Sequence, residues 1–379
     1  MSNIINARSP FFLKYRNATN TLTNVKVELK IWSGLKTDVP TEIDYTITKQ
    51  PLVAEVGNYV VFEISELIRD FLKTDYYTEA IDAVWVEAKV YRTFSASPIV
   101  STELYLAFDG WGNFGAGTNP RKTTTPMVLQ TNKKIQFVRG RDIKIPVFSE
   151  FEPQIETDIP LGVWNYVDDF WENSDPTWDQ TSTDLDIVDS DDSADKIQYV
   201  IISTDNALSG DTISFTSTAG TPQTQTIITI EEVCEPKYDA IRGIFYNKYG
   251  ALQTMWFPNK STEKQTSKSE SYNANTIDYD TPNVSYSVYQ HNKKRFNIVS
   301  GKTINVNTSL LDELFNAIVK ELLYSESCWL EQPKENRLDT RPVNLLTKNF
   351  TRKTSVNNKV DIQYNLDFEY SYEQINNVR

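Results

Sequence analysis

The residues best suited to chemistry crowd into one stretch, Glu150 to Asp195, where fifteen Asp and Glu stand without a single Lys or Arg. Within it Asp168, Asp169 and Glu172 lie beside Trp164, Phe170, Trp171 and Trp178. Carboxylates next to aromatic platforms suit a carbohydrate site, and paired carboxylates are what glycoside hydrolysis needs. Further along, Asp184, Asp186, Asp189, Asp191, Asp192 and Asp195 offer the hard oxygen donors that Ca2+ prefers. That run lacks the glycine and terminal glutamate of an EF-hand loop, so its match to a calcium site is poor. The bland alternative is a solvated acidic excursion, or one docked on a basic neighbour that offsets the mutual repulsion of so many carboxylates. The bland alternative carries more weight than sugar chemistry or calcium. Trp164, Asp168, Asp169, Trp171, Glu172 and Trp178 are therefore expected to be interaction residues, and no residue is assigned a catalytic role.

Other reactive groups are sparse. His291 is the only histidine, with no nucleophile recognisably placed near it, so a Ser-His-Asp triad or an ordinary zinc site is disfavoured. Cys234 and Cys328 are the only cysteines, so no disulfide framework is implied and a reducing site of synthesis is expected. Each reads as a small core residue, with a bond between them left open. The glycines from Gly112 to Gly117 sit in a Gly/Asn loop without the lysine or following helix of a phosphate cradle. No cofactor is expected.

The net charge of −13 belongs to the acidic stretch: outside it 36 acidic side chains face 38 basic ones, a net of +2. Such a balance argues against general nucleic-acid binding. No apolar run approaches the length of a membrane span, and the first dozen residues lack the apolar core of a signal peptide.

The elements that must position these residues are mostly strands. FFLKY, VKVELKIW, IDYTITK, NYVVFEI, AVWVEAKVYRTF and VSTELYLAFD alternate, with a short helix opening at Ser65 as its cap. A second set runs PMVLQ, KKIQFVRG, DIKIPVF, then KIQYVIIST, DTISFTST and TQTIITIEE beyond the acidic stretch. IRGIFYN and ALQTMWF flank a turn at Asn247-Lys248-Tyr249-Gly250, where glycine supplies a positive φ; Phe245, Tyr246, Trp256 and Phe257 would be buried there. Near the C-terminus Ser309 is placed to cap a helix over 310–323, with Leu310, Leu311, Leu314, Ile318, Leu322 and Leu323 as its apolar stripe. The expected fold is mainly β with short helices: two β-sandwich-like domains plus a C-terminal α+β domain. The boundaries are 1–110, a linker at 111–126, 127–259 with an acidic insertion at 150–195, and 260–379.

Several runs resemble a group of virion structural proteins of tailed bacteriophages, of the kind found in phages of Bacteroidota hosts. They are Ala7-Arg8-Ser9-Pro10-Phe11-Phe12, Leu29 to Gly34, Phe62 to Asp70, Cys234 to Tyr238, Phe245 to Gln253, and Trp256-Phe257. Towards the end come Cys328-Trp329-Leu330, read as an exposed aromatic strand, then Pro342-Val343 and Phe368-Glu369-Tyr370. The acidic insertion is outside the likeness. The resemblance implies a tail, baseplate or collar component made in the host cytoplasm and carried in the virion. Its partners would be neighbouring virion proteins and further copies of itself in a ring; the alternatives are a receptor-binding or carbohydrate-binding tail module and a glycoside hydrolase using carboxylates of the acidic insertion.

Overall fold

A computed structural model of the chain describes residues 3–16, 21–52, 57–73, 83–94, 98–116, 127–148, 153–159, 165–167, 184–186, 197–217, 225–233, 237–278, 282–334, 337–354 and 362–373. It is mainly β with short helices, arranged as two sandwiches and a C-terminal sheet that carries a helix. Among the described residues no helix is long and apolar enough to cross a membrane.

Alternation builds the first sandwich. Along Leu22–Trp32 the side chains of Leu22, Val25, Val27, Leu29 and Ile31 are buried, and those between are wetter. This strand sits in a five-stranded sheet ordered Asn3–Asn6, Ile99–Phe108, Ala83–Phe94, Leu22–Trp32, Tyr45–Lys49. The antiparallel pair Phe12–Arg16 and Tyr59–Glu63 covers it, bringing Leu13, Val60 and Phe62 against Val25, Val27, Val86 and Val90. The parallel strand Asn3–Asn6 was not legible in its four residues. The helix Ser65–Arg69 departs from expectation at its start. Ile64 is its N-cap, and the Glu63 carboxylate accepts the Ser65 N–H at 2.9 Å. Ser65 instead turns its hydroxyl to Glu63 and is buried inside the helix, so Glu63 rather than Ser65 serves the helix end.

The second sandwich has one sheet ordered Asn165–Val167, Gln198–Ile202, Ile143–Phe148, Met127–Val128. Its other sheet is ordered Asp184–Asp186, Pro153–Thr157, Thr212–Ser217, Gln225–Glu232, Lys134–Phe137. Residues 150–195 are therefore not wholly an insertion. Ile155 and Ile159 are buried in the core, while Gln154, Glu156 and Asp158 face water. Counting charges hid this alternation, because a strand with one wet face tolerates a carboxylate at every second position.

The third sheet is seven-stranded: Leu252–Phe257, Ile241–Tyr246, Cys328–Lys334, Arg337–Leu345, Asn365–Tyr370, Lys293–Asn307, Thr262–Asn273. The expected boundary at 259/260 thus cuts a sheet, since Leu252–Phe257 pairs with Ile241–Tyr246, which pairs in turn with Cys328–Lys334. Phe245, Tyr246, Trp256 and Phe257 are buried as expected. Cys328-Trp329-Leu330 is not exposed: it lies mid-sheet, buried, with the Trp329 ring edge-on to Tyr246 at 6.0 Å. The helix runs Phe315–Tyr324, five residues later than 310, without a side-chain cap. Leu311 is instead drawn into a bridge with Ile362, which takes the first expected turn out of the helix. Leu310 and Leu314 are exposed, whereas Phe315, Ile318, Val319 and Leu322 pack on the sheet. Ser309 accepts a hydrogen bond from Gln136 of the second sandwich at 3.3 Å.

All three parts meet at the turn between Ile241–Tyr246 and Leu252–Phe257. Ile4, Trp32, Trp85, Leu106 and Phe108 of the first sandwich, Leu129 and Ile197 of the second, and Ala251 of the third form one apolar cluster. The Asn247 side chain is buried and fully used. Its amide donates to the Leu129 carbonyl at 2.6 Å and to Gln253, and its oxygen accepts the Tyr249 and Ala251 N–H groups. Gly250 has φ of 78°, and a Cβ there would stand 2.7 Å from the Asp109 backbone. Arg8 forks onto Asp109 at 2.5 and 3.0 Å, while Arg69 reaches Glu326 at 2.6 Å and lies 3.8 Å from Asp109. Trp111, the start of the expected linker, donates its backbone N–H to the Lys248 carbonyl at 2.7 Å, and its ring packs on Tyr324 at 5.2 Å. These ties make a firmer joint than the domain contacts that permit free relative motion.

A second joint is a hydrogen bond from an arginine that is ion-paired within the third sheet. Arg242 and Glu331, both buried, pair at 2.6 Å, and Arg242 donates to the Asp142 carbonyl of the second sandwich. Burial, then the charge of Arg242, pushes nearby Lys144 down to about 7. The unfolded chain therefore holds more protons than the folded one between about pH 7 and the usual lysine value of 10.5, so stability rises with pH across that window. We expect Lys144→Met to be more stable than wild type at pH 7 by about 1–3 kcal/mol. The gain should shrink towards pH 10, as read by denaturant titration at each pH.

Candidate interaction surface

The strands Thr262–Asn273 and Lys293–Asn307 begin as the edge of the third sheet and then leave it. Lys293–Asn307 pairs with Asn365–Tyr370 only from Thr303 to Asn307, yet it pairs with Thr262–Asn273 as far as Asn273 opposite Lys293. Every residue of Thr262–Asn273 is exposed, as are residues 293–298. Beyond Lys268 the two strands form an arm about 20 Å long before its tip at 274–292.

Nothing covers either face of this arm among the described residues, yet its outer part is rich in large apolar side chains. Tyr272 and Phe296 meet edge-on at 5.6 Å, both about half exposed. At the tip Ile277 pairs with Tyr286, and Val284, Tyr286, Val288 and Tyr289 are 78, 69, 77 and 92% exposed. Burying one such side chain yields roughly 1.5–3 kcal/mol, so this is a concentration of binding energy held away from the core. An uncovered two-stranded ribbon is marginal in water, which makes a covering partner the natural completion of the arm.

A bulge fixes how the arm is presented. Asn297 and Ile298 together oppose Ser269, and Asn297 has φ of 49°. Asparagine tolerates this left-handed conformation better than most residues, and the extra residue twists the ribbon. Lys264 and Lys268 lie on the outer strand, and the bulge lies on the strand facing it; such charge and twist discourage edge-to-edge strand addition. The faces and the tip are left for contact.

The arm's sequence carried two signals. TEKQTSKSESYN is polar on both alternating sets, so it has no core face to bury. NVSYSVY alternates like a half-buried strand, yet its apolar set lies in the open.

Few of the residues singled out from sequence fall among the described ones. Asp184 and Asp186 lie on a strand whose backbone pairs with Glu156 and Gln154. Trp164, Asp168, Asp169, Phe170, Trp171, Glu172, Trp178, Asp189, Asp191, Asp192 and Asp195 lie outside the described residues, as does Cys234. His291 is exposed at the arm tip. Cys328 is a free, buried thiol pushed up to about 12 by burial. Among the described residues no three His, Cys, Asp or Glu come together as a metal ion would require. A groove of about 620 Å3 runs beside the helix, past Leu323, Val343, Leu345 and Phe350, with Lys320, Glu326 and Lys348 as its only charges. It holds no paired carboxylates.

Protein-family models and curated proteins were compared with the chain, and none matches.

Proposed function

We propose that the chain is a structural component of a tailed-bacteriophage virion, in its tail, baseplate or collar. Copies of it form a ring or adaptor layer through protein–protein contacts, and no catalytic step is assigned to it. The observation that carries this reading is the arm, whose apolar side chains stand in water on a body whose parts are joined at the Asn247–Gly250 turn and at Arg242. A rigid body with a projecting docking element is what a repeated assembly needs, because the geometry of each contact must be reproduced around the ring. The likeness to virion proteins supports it further. Arg8, Arg69, Asn247 and Gly250 belong to the runs that carry the likeness, and all four stand at the joint, the two arginines reaching Glu326 of the third part at 3.7 and 2.6 Å.

Mass spectrometry of purified particles should find the chain in many copies per particle. Replacing residues 274–292 by Asn-Gly, a turn that suits the facing pair Asn273 and Lys293, should leave the body folded. It should also reduce incorporation about tenfold or more, the loss of roughly 1.4 kcal/mol or more of binding. A chain absent from particles refutes the reading.

A further inference from the structure

We propose that the groove beside the helix Phe315–Tyr324 takes an acidic peptide segment of a partner protein. One apolar side chain of that segment seats between the walls, and its carboxylates meet Lys320 and Lys348. This names the chemistry of a partner for the assembly proposed above, and it rests on that reading only for where the partner is found.

The fold holds the groove in shape. One wall is the helix flank with Lys320 and Leu323, and the other is formed by Val343, Leu345 and Phe350. Asn316, buried on the helix, fastens the continuation of the second wall. Its amide donates to the Lys353 carbonyl at 2.8 Å, and its oxygen accepts the Lys353 N–H at 3.3 Å. Phe350 stacks on Tyr364 with ring centres 6.0 Å apart. Walls fixed in this way lose little freedom when an occupant arrives. About 620 Å3 lies between them, and Leu323, Leu345 and Phe350 are only partly buried there. The groove is open to solvent on one side, so it suits a chain lying in it; a small molecule needs walls over most of its surface.

Charge selects the kind of chain. Glu326, the one carboxylate of the lining, is already matched by Arg69 at 2.6 Å and Arg8 at 3.7 Å. Lys320 and Lys348 make no ion pair among the described residues, and Lys320 only overlies the Tyr324 ring at 5.7 Å. Residues 346–354 include Lys348, Arg352 and Lys353 and no Asp or Glu, and a second hollow of about 570 Å3 is lined by Arg352, Lys353 and Thr354. Carboxylates along an extended peptide therefore find cations on both walls and beyond, whereas a basic peptide meets repulsion. Nucleic acid, the other polyanion, fits worse. The aliphatic walls offer no face for a base, and the rings are engaged, Phe350 with Tyr364 and Tyr324 with Trp111. The net charge of −13 also repels a long polyanion.

The test applies the purified full chain to an array of short random-sequence peptides and then titrates the bound sequences in solution. We expect them to carry Asp and Glu around a Leu, Ile or Phe, and to bind about tenfold more weakly in about 500 mM salt than in about 50 mM. The variant Lys320→Gln, Lys348→Gln should weaken them about tenfold with an unchanged melting temperature. Lys320→Arg, Lys348→Arg should bind as wild type does. Leu323→Gln should also lose about tenfold, through the apolar wall.

A wild type that binds no peptide overturns the proposal, as does a bound set that is neutral, basic or without an apolar residue. Equal binding by the glutamine double variant overturns it too. So does a short single-stranded oligonucleotide that wild type binds more tightly than the peptides and the double variant does not. None of these results touches the virion reading, which fails separately if the chain is absent from purified particles.

Discussion

Gly250→Val is expected to destabilise the chain by about 3–5 kcal/mol and to loosen the first sandwich from the third sheet. Two costs add. The backbone at φ of 78° is strained for any residue with a Cβ, and worst for a β-branched one. The new Cβ would also stand 2.7 Å from the Asp109 carbonyl carbon and 2.9 Å from the Gly110 nitrogen, atoms that cannot yield without moving the strand end they belong to. Gly210→Val separates the two costs. Gly210 has φ of 102° but open space around its Cβ position, so only the conformational cost remains there. Denaturant unfolding gives the energies. Hydrogen exchange at the Trp111 backbone amide, which donates to the Lys248 carbonyl, reports whether the joint itself opens. Equal effects at the two glycines would mean that the joint bears no stress.

Breaking the buried ion pair should cost a similar amount. Glu331→Gln leaves the Arg242 guanidinium, 5.5 Å from the Trp256 ring centre, without its counter-ion. Removing one partner of a buried pair typically costs 3–5 kcal/mol, about the cost expected here. Lys144 magnifies the effect, because Glu331 is one of the two charges that favour its protonated form. The substitution should therefore drive Lys144 further down and move the pH dependence with it. The double variant Arg242→Met, Glu331→Leu removes both charges and should recover most of the loss, since apolar replacements of a buried pair are often neutral or better. Chemical denaturation of the three variants checks this, and a double variant as unstable as the single one would contradict it.

Where alternation was clear, the sequence was a good guide. All six strands expected before residue 110 are present, and so are the six expected in the second sandwich. The failures have physical causes. Strands within 150–195 were overlooked because charge drew attention from the buried positions Ile155 and Ile159. The domain boundary was misplaced because Ile241–Tyr246 follows the second sandwich directly in sequence, while its sheet partner Cys328–Lys334 lies far downstream. The helix start was set by local capping rules, and a long-range bridge between Leu311 and Ile362 overrode them. Exposure at the arm was invisible for the converse reason: NVSYSVY has the pattern of a core strand, and only the surrounding fold shows that no core is there. The Asn247–Gly250 turn was legible as a turn, but not as the place where three domains join.

That turn also bears on how the chain emerges from the ribosome. Its two strands are buried along nearly their whole length, yet the strand that pairs with Ile241–Tyr246 on its free side is translated about 80 residues later. During that interval a greasy hairpin would be open to misassociation. The two sandwiches, already synthesised, hold the docking site for the turn and so can shelter the nascent hairpin until Cys328–Lys334 arrives. The joint that stiffens the finished protein is thus assembled from parts that are all made before Cys328–Lys334.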